Sequence, residues 1–370
     1  MSETSRADLP TENLREAERL MRICNACRYC EGLCAVFPAM EMRRNFAASD
    51  LNYLANLCHQ CGACYTDCQY SPPHEFAVNV PAALARVRHD SYDDYAWPRV
   101  LGALFEHNGL WVAVIAALSV AGFIAGFVWL RDPTVLFGQH AGRFYQLMPH
   151  KQMVYLFGGV AIYAVLAMTL SVRAFWRDIR GGVAGGSLAQ AMHDATTLRY
   201  LGGGGGGCTS ESEKPSRLRR IFHHFTFYGF LLCFGSTSVA TLYHYVFNWK
   251  APYALSSVPV VLGILGGVGL LIGPIGLFIL KRRRMPVLTD RRPLGMDTAF
   301  LAMLLLTSAT GFLLMLLRDT QFMGLLLALH LGVVFGLFLT LPYGKFVHGL
   351  YRFAALMKYA NERRSGSFVD

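Results

Sequence analysis

Eight of the ten cysteines fall into two phrases of one spacing. Cys24, Cys27, Cys30 and Cys34 read C-x2-C-x2-C-x3-C, and Cys58, Cys61, Cys64 and Cys68 repeat it. Two-residue gaps let a backbone loop curl round one corner of an iron–sulfur cube and present three thiolates. A fourth cysteine, three residues on, reaches the neighbouring cube. The expected ligand sets are therefore crossed. One [4Fe-4S] cluster takes Cys24, Cys27, Cys30 and Cys68, and the other takes Cys58, Cys61, Cys64 and Cys34. Zinc binds four ligands tetrahedrally and leaves the repeated three-plus-one run unexplained. Disulfides would need an oxidising compartment. The proline that usually follows the fourth cysteine is absent, since Ala35 and Gln69 stand there. Two cubes side by side would conduct electrons.

Residues near the phrases read as helix. Glu12 to Ile23 is charged and amphipathic and leads into the first loop. Ala47 to Leu57 leads into the second, with Ser49 and Asp50 as candidate caps. His59 reads as a hydrogen-bonding loop residue. Residues 1–100 are thus expected to form an α-helical ferredoxin domain, similar to the C-terminal half of succinate dehydrogenase iron–sulfur subunits.

Beyond residue 100 the composition turns apolar. Six stretches approach the ~20 residues that cross a bilayer as helix: about 110–130, 152–172, 221–247, 253–280, 296–317 and 321–344. An all-α chain follows, with a six-span membrane domain over 101–350 and a tail over 351–370. Basic residues crowd the loop 173–220 (Arg173, Arg177, Arg180, Arg199, Lys214, Arg217, Arg219, Arg220). They also crowd the connection after span four (Lys281, Arg282, Arg283, Arg284, Arg291, Arg292) and the tail (Arg352, Lys358, Arg363, Arg364). The opposite loops hold fewer: Arg131, Arg143 and Lys151, then Lys250, then Arg318. The positive-inside rule places both termini in the cytoplasm of a bacterial inner membrane. The net charge of +10 is then a topology signal rather than a nucleic-acid footprint. No apolar h-region opens the chain, so no cleavable signal peptide is expected. The loop 173–220 also carries six consecutive glycines, Gly202 to Gly207, followed by Cys208. They read either as a flexible linker or as backbone packed closely on the iron–sulfur domain. Cys233, within span three, reads as a small buried residue.

Ionisable side chains inside spans are functional candidates. His330 lies mid-span in span six, and His348 follows 18 residues later, on the same face of one continuous helix and ~27 Å along it. His223 and His224 open span three and His244 nears its far end. The 21 residues from His223 to His244 return to within ~60° of one face over ~32 Å. Two bis-histidine haems b could use these nitrogens: an inner one on His223 (or His224) and His348, and an outer one on His244 and His330. The plainer reading is that span-end histidines are interfacial. His107, His140, His150 and His193 receive no role. Asp297 and Arg318 could serve proton uptake by a quinone, or be ordinary interfacial charges. No paired carboxylates or nucleophile–base set suggests substrate chemistry, so the chain reads as an electron-transfer subunit whose status as an enzyme in its own right stays open.

Two resemblances enter here. Span six with Leu341 to His348 resembles the last helix of the respiratory nitrate reductase gamma subunit, whose family holds two haems b between two helices. On span three that family's histidines stand closer together than His223 and His244. The whole chain resembles the tricarballylate/citrate utilisation protein B family through the doubled cysteine phrase, Leu198 to Gly203, Phe222 to Phe230 and the six-span plan. That resemblance implies a function. Electrons would come from the reduced flavin (FADH2) of a soluble FAD-dependent tricarballylate dehydrogenase and pass through the clusters and haem to the membrane quinone. Alternatives are a heterodisulfide-reductase-like or nitrate-reductase-like subunit with another cytoplasmic partner, a redox-sensing citrate transporter or receptor, and clusters that are purely structural.

Overall fold

The computed structural model describes residues 9–130, 133–140, 142–289 and 294–366. Arg131, Arg291 and Arg292 of the charge pattern lie outside them. Among the described residues, five helices precede the first span: α1 (Glu12–Cys27), α2 (Val36–Glu41), α3 (Ala48–Leu57), α4 (Ala63–Thr66) and α5 (Val80–Asp94). Nine follow: α6 (Asn108–Leu130), α7 (Phe144–Leu147), α8 (His150–Asp178), α9 (Ser187–Thr196), α10 (Leu218–Tyr245), α11 (Val258–Arg282), α12 (Leu294–Leu316), α13 (Met323–Thr340) and α14 (Val347–Ser365). Among the described residues there is no strand, only an isolated bridge between Cys208 and Ser216.

Local chemistry sets the helix starts. Thr11 caps α1 by accepting the Leu14 N–H at 3.3 Å. At α3 the cap position is Ala47, and Asp50 reaches back from the first turn to accept the Ala47 N–H at 3.3 Å. Asp50 thus supplies the capping contact from inside the helix, and Ser49 is not the cap.

Among the described residues, six helices are long and apolar enough to cross a membrane: α6, α8, α10, α11, α12 and α13. Spans α10 and α11 pack along much of their length. Their closeness depends on small residues: a Cβ on Gly229 would stand 2.9 Å from Gly266 O, and one on Gly266 would stand 2.7 Å from Cys233 N. Span α13 packs on α6 and α12.

The helix of span six does not run on to His348. It ends at Thr340, and Pro342, which has no N–H to donate, lies in a single 3-10 turn, Leu341–Tyr343. Gly344 is extended (φ −131°, ψ −170°), and a new helix starts at Val347. His348 therefore opens α14, and the argument that it shares one helix face with His330 fails.

The stretch expected as a tail is a core element. Helix α14 packs into the body formed by the first hundred residues, where Tyr351 stacks on Tyr92 of α5 with ring centroids 5.7 Å apart. Buried Arg43 bonds Glu362 at 2.6 Å and Asp50 at 2.6 Å, and Tyr53 Oη donates to Glu362 at 2.9 Å. Lys358 Nζ donates to the Ile179 carbonyl at 2.5 Å. These contacts clamp the end of α8, α14 and the first hundred residues into one unit.

Candidate metal centres

The last turn of α1 carries Cys24 and Cys27. Arg28 ends that helix in the left-handed conformation, φ 55°, with its N–H on the Cys24 carbonyl at 2.7 Å. The chain then turns through Cys30 and Cys34 into α2. In the second phrase α3 stops one residue before Cys58. Gly62, φ +88°, makes the turn into α4, which carries Cys64. Cys34 stands just before a helix, as its spacing implies, whereas Cys68 leads into a turn in which Ser71 N–H bonds the Cys68 carbonyl at 3.3 Å.

The thiols regroup across the phrases. Cys24, Cys27, Cys30 and Cys68 line one cavity of about 260 Å3, walled by Ile23, Tyr29, Phe37, Asp67 and Tyr70. Cys34, Cys58, Cys61 and Cys64 line a second, with Leu33, Val36, His59, Gln60 and Tyr200. Cys64, Phe37 and Val80 border both. Burial, with neighbouring thiolates adding, pushes Cys24 and Cys30 up to about 12. Burial pushes Cys61 up to about 11. As free thiols they stay protonated at neutral pH, and binding iron displaces those protons. Four sulfurs spread round a cavity suit a cube; a zinc ion, with Zn–S bonds of about 2.3 Å, would draw them to a point. The donor set thus fits two [4Fe-4S] clusters.

The segment 203–210 packs over the second phrase. Thr209 N–H donates to the Cys61 carbonyl at 2.8 Å, and Thr66 Oγ1 donates to Thr209 Oγ1 at 2.8 Å. The glycine run lies against both phrases. A Cβ on Gly203 would stand 3.0 Å from Ala63 Cβ, and one on Gly204 would stand 3.1 Å from Gly32 O. Of the two readings of Gly202 to Gly207, close packing on the iron–sulfur domain holds. Cys208 is buried, with its thiol on the Leu201 carbonyl at 3.5 Å. His59 Nδ1 lies 2.9 Å from the Leu57 carbonyl. Burial and nearby cations, Arg352 foremost, push its pKa well below the usual imidazole value, so it stays neutral.

The histidines divide differently from their sequence pairing. His223 and His348 meet, with ring centroids 6.1 Å apart. Metal–imidazole bonds are about 2 Å, so two rings coordinating one metal from opposite sides have centres about 6 Å apart. His348 Nδ1 bonds the Lys345 carbonyl, which leaves Nε2 as its open nitrogen. Buried His223 Nδ1 has no hydrogen-bond partner. The spacing of this pair is that of two imidazoles on one metal ion. His224 turns instead toward Tyr228.

His244 and His330 are not brought together. His244 stacks on His150, centroids 3.8 Å apart and planes 10° apart. Stacked rings present faces, not nitrogens, so that pair does not frame an iron. His330 Nδ1 lies 2.9 Å from Thr310 Oγ1 of α12. The reason is packing: α10 lies along α11, while α13 lies against α6 and α12. Asp297 is held by Lys281 and by Lys345, the latter at 2.8 Å, and Arg318 lies 3.7 Å from Asp319.

Two family descriptions match this chain: "Citrate utilization protein B" over residues 107–367 and "Citrate utilization protein B Fer4-like domain" over residues 17–94. The chain belongs to the citrate utilization protein B family. The Escherichia coli protein "Citrate utilization protein B" is 51% identical over 362 residues, 97% of this chain and 95% of that one. No solved structure matches. The Fer4-like match ends at residue 94, where α5 ends, and it contains both cysteine phrases.

Sequence reasoning missed several residues of these centres. Thr209 covers the second phrase through the Cys61 carbonyl, and nothing in its local pattern names that target. Arg219, Arg284 and Arg352 entered only as topology charges, and Arg88 not at all; all four bond backbone at the second phrase. The helix break before His348 did have a signal, the Leu-Pro-Tyr-Gly run Leu341 to Gly344.

Proposed function

We propose that this chain is the membrane-bound electron carrier of an organic-acid dehydrogenase system in the bacterial inner membrane. The donor is the reduced flavin of a cytoplasmic tricarballylate, or related tricarboxylate, dehydrogenase. The route is two [4Fe-4S] clusters and a haem b, and the acceptor is a quinone. One observation carries the reading: the eight phrase cysteines regroup into two four-thiol sets, each drawing its fourth member from the other phrase. The relative's name, which refers to citrate utilisation, supports an organic-acid donor system.

When bound, the clusters and haem would take and release single electrons. The chain's own residues do the holding and shielding. Cys24, Cys27, Cys30 and Cys68 stand on the more open side, where Tyr29 is 72% exposed, and suit docking of a flavin partner. Cys34, Cys58, Cys61 and Cys64 stand under Thr209 and the glycine run, away from water. Arg352 grips the Cys58 carbonyl at 2.9 Å. His348 lies one helical turn earlier on the same face of α14 and meets His223. That single turn joins the second thiol set to the histidine pair at the head of span three. The Lys345 carbonyl fixes the tautomer of His348.

The test is a dithionite-reduced minus oxidised spectrum of the purified protein, with iron and haem quantified. About nine irons per chain, eight in two cubes and one in a bis-histidine haem, and a b-type α-band are expected. His348→Ala should abolish the α-band and leave the cluster iron in place. An unchanged α-band in that variant sinks the histidine assignment, and iron well below one cube per chain sinks the whole reading.

A further inference from the structure

Four arginines from four separate parts of the chain converge on the backbone that enters the second cysteine phrase. Arg88 of α5 donates to the Ala55 and Cys58 carbonyls at 3.3 and 2.6 Å. Arg352 of α14 donates to Asn56 and Cys58 at 3.3 and 2.9 Å. Arg219 of α10 donates to Gln60 O at 2.6 Å, and Arg284, beyond the end of α11, donates to the same atom at 3.2 Å. All these acceptors are neutral carbonyls. Asp297 is the carboxylate within electrostatic reach of Arg284, and it is already held by Lys281 and Lys345. Burial lowers Arg284 and Arg352 to about 10, so both remain charged at neutral pH.

Arg88 is buried and the other three are half-buried, and cations drawn out of water need an anion nearby. The second thiolate set is that anion: Cys58 acts on Arg284 and Arg352, and Arg219 acts on Cys61. The first set has the opposite neighbour. Asp67 lines its cavity and acts on Cys30 as a second negative charge. A cube on four cysteinates is anionic and gains one negative charge on reduction, so nearby charge shifts its potential. Burial alone would make the second set harder to reduce. The same low dielectric, however, strengthens the field of four guanidinium charges held in or at the edge of the interior, whereas water weakens the field of Asp67 at the open first set.

We propose that Arg88, Arg219, Arg284 and Arg352 make the second thiolate set the higher-potential of the two, so that an electron delivered to the first set moves on to the second, beside His348. In that step the first cluster is oxidised by one electron, the second is reduced by one, and no bond or proton moves. The arginines act as positioning residues. The inference rests on the proposed clusters, and its test separates the two failures.

The experiment is a mediator-controlled redox titration of the full-length protein in detergent, followed by low-temperature EPR. Cys27→Ser and Cys61→Ser assign the two signals. The signal lost in Cys61→Ser should titrate at the higher potential. Arg352→Gln should weaken its reduction at least tenfold, about 59 mV for a one-electron couple, and leave the other signal in place. Arg352→Lys keeps the charge but loses the forked hydrogen bonds, so it should retain most of the potential. Arg88→Gln should repeat the shift, and it serves if Arg352→Gln does not fold. The proposal is overturned if the Cys61-dependent signal lies lower in the parent protein, or if the Gln and Lys variants shift alike. A protein with no cluster iron and no signal refutes the reading of the clusters instead.

Discussion

The two cysteine phrases share one spacing and differ in nearly everything around it. Thiols Cys24, Cys27, Cys30 and Cys68 surround an open cavity beside Asp67, and Tyr29 at its mouth is largely exposed. Thiols Cys34, Cys58, Cys61 and Cys64 are covered by Tyr200, the glycine run and Thr209, and four arginines grip the backbone at their entry. Tyr200, the glycine run, Thr209 and the four arginines all come from residues after position 80. A repeated motif thus specifies the ligands, while solvent, charge and neighbours are set partly by segments as distant as Arg352, 294 residues from Cys58. The same motif can then serve as an entry on one side and as an exit on the other.

The largest test of this comparison is of the crossing itself. Cys68→Ser lies in the second phrase but should remove the same EPR signal as Cys27→Ser, with about half of the cluster iron lost. Cys34→Ser should remove the signal that Cys61→Ser removes. Iron and sulfide analysis with EPR on each variant checks this. Pairing that follows the phrases, with Cys68→Ser matching Cys61→Ser, would dissolve the distinction between an open set and a covered one.

Next in size is the clamp that keeps α14 against the link between the phrases. Arg43 is 1% exposed and bonds both Asp50 and Glu362. Arg43→Ala leaves Glu362 buried beside Tyr53 and Lys358 with its main partner gone, at a cost of about 3–5 kcal/mol. Because Arg352 and His348 ride on α14, the Cys61-dependent signal and the haem should be lost at a lower temperature, with the Cys27-dependent signal outlasting them. A thermal melt in detergent, followed by EPR and by the haem band, measures the order of loss; simultaneous loss would mean that α14 supports both sets equally.

Much of this layout was legible in the sequence, and the failures have physical causes. Spans announce themselves because lipid tolerates few charges, and all six appear where the apolar stretches stand. Thiol crossing is legible because the three-residue gap before Cys34 and Cys68 constrains reach. Family membership was legible from the doubled phrase and from Phe222 to Phe230, and the comparisons show it. Helix periodicity, in contrast, cannot be carried through Pro342, so His330 and His348 were wrongly placed on one helix. Pairing His244 with His330 failed as a contact because spacing along two helices does not say which helices are neighbours. Charge patterning finds the side of the membrane but cannot tell a lipid-facing arginine from one that bonds Cys58 or Gln60. The glycine run was the most ambiguous element, since flexibility and close approach use the same residue for opposite ends.

Gly204 offers the finest probe of that ambiguity. Its φ of +71° lies in the left-handed region, and a Cβ there would stand 3.1 Å from Gly32 O and 3.4 Å from Leu33. Gly204→Ala should therefore cost about 1–2 kcal/mol for the left-handed backbone. Relief comes from lifting the run off the first phrase at Gly32 and Leu33. Leu33 lines the second cavity, so lifting opens the covered set and leaves the already open one unchanged. In air the Cys61-dependent signal should bleach faster than in the parent protein, and the Cys27-dependent signal at its former rate. A free linker would show no change in either rate, because an alanine in a solvated loop meets nothing. The two rates, measured on one sample, therefore decide whether six glycines are slack or a fitted lid.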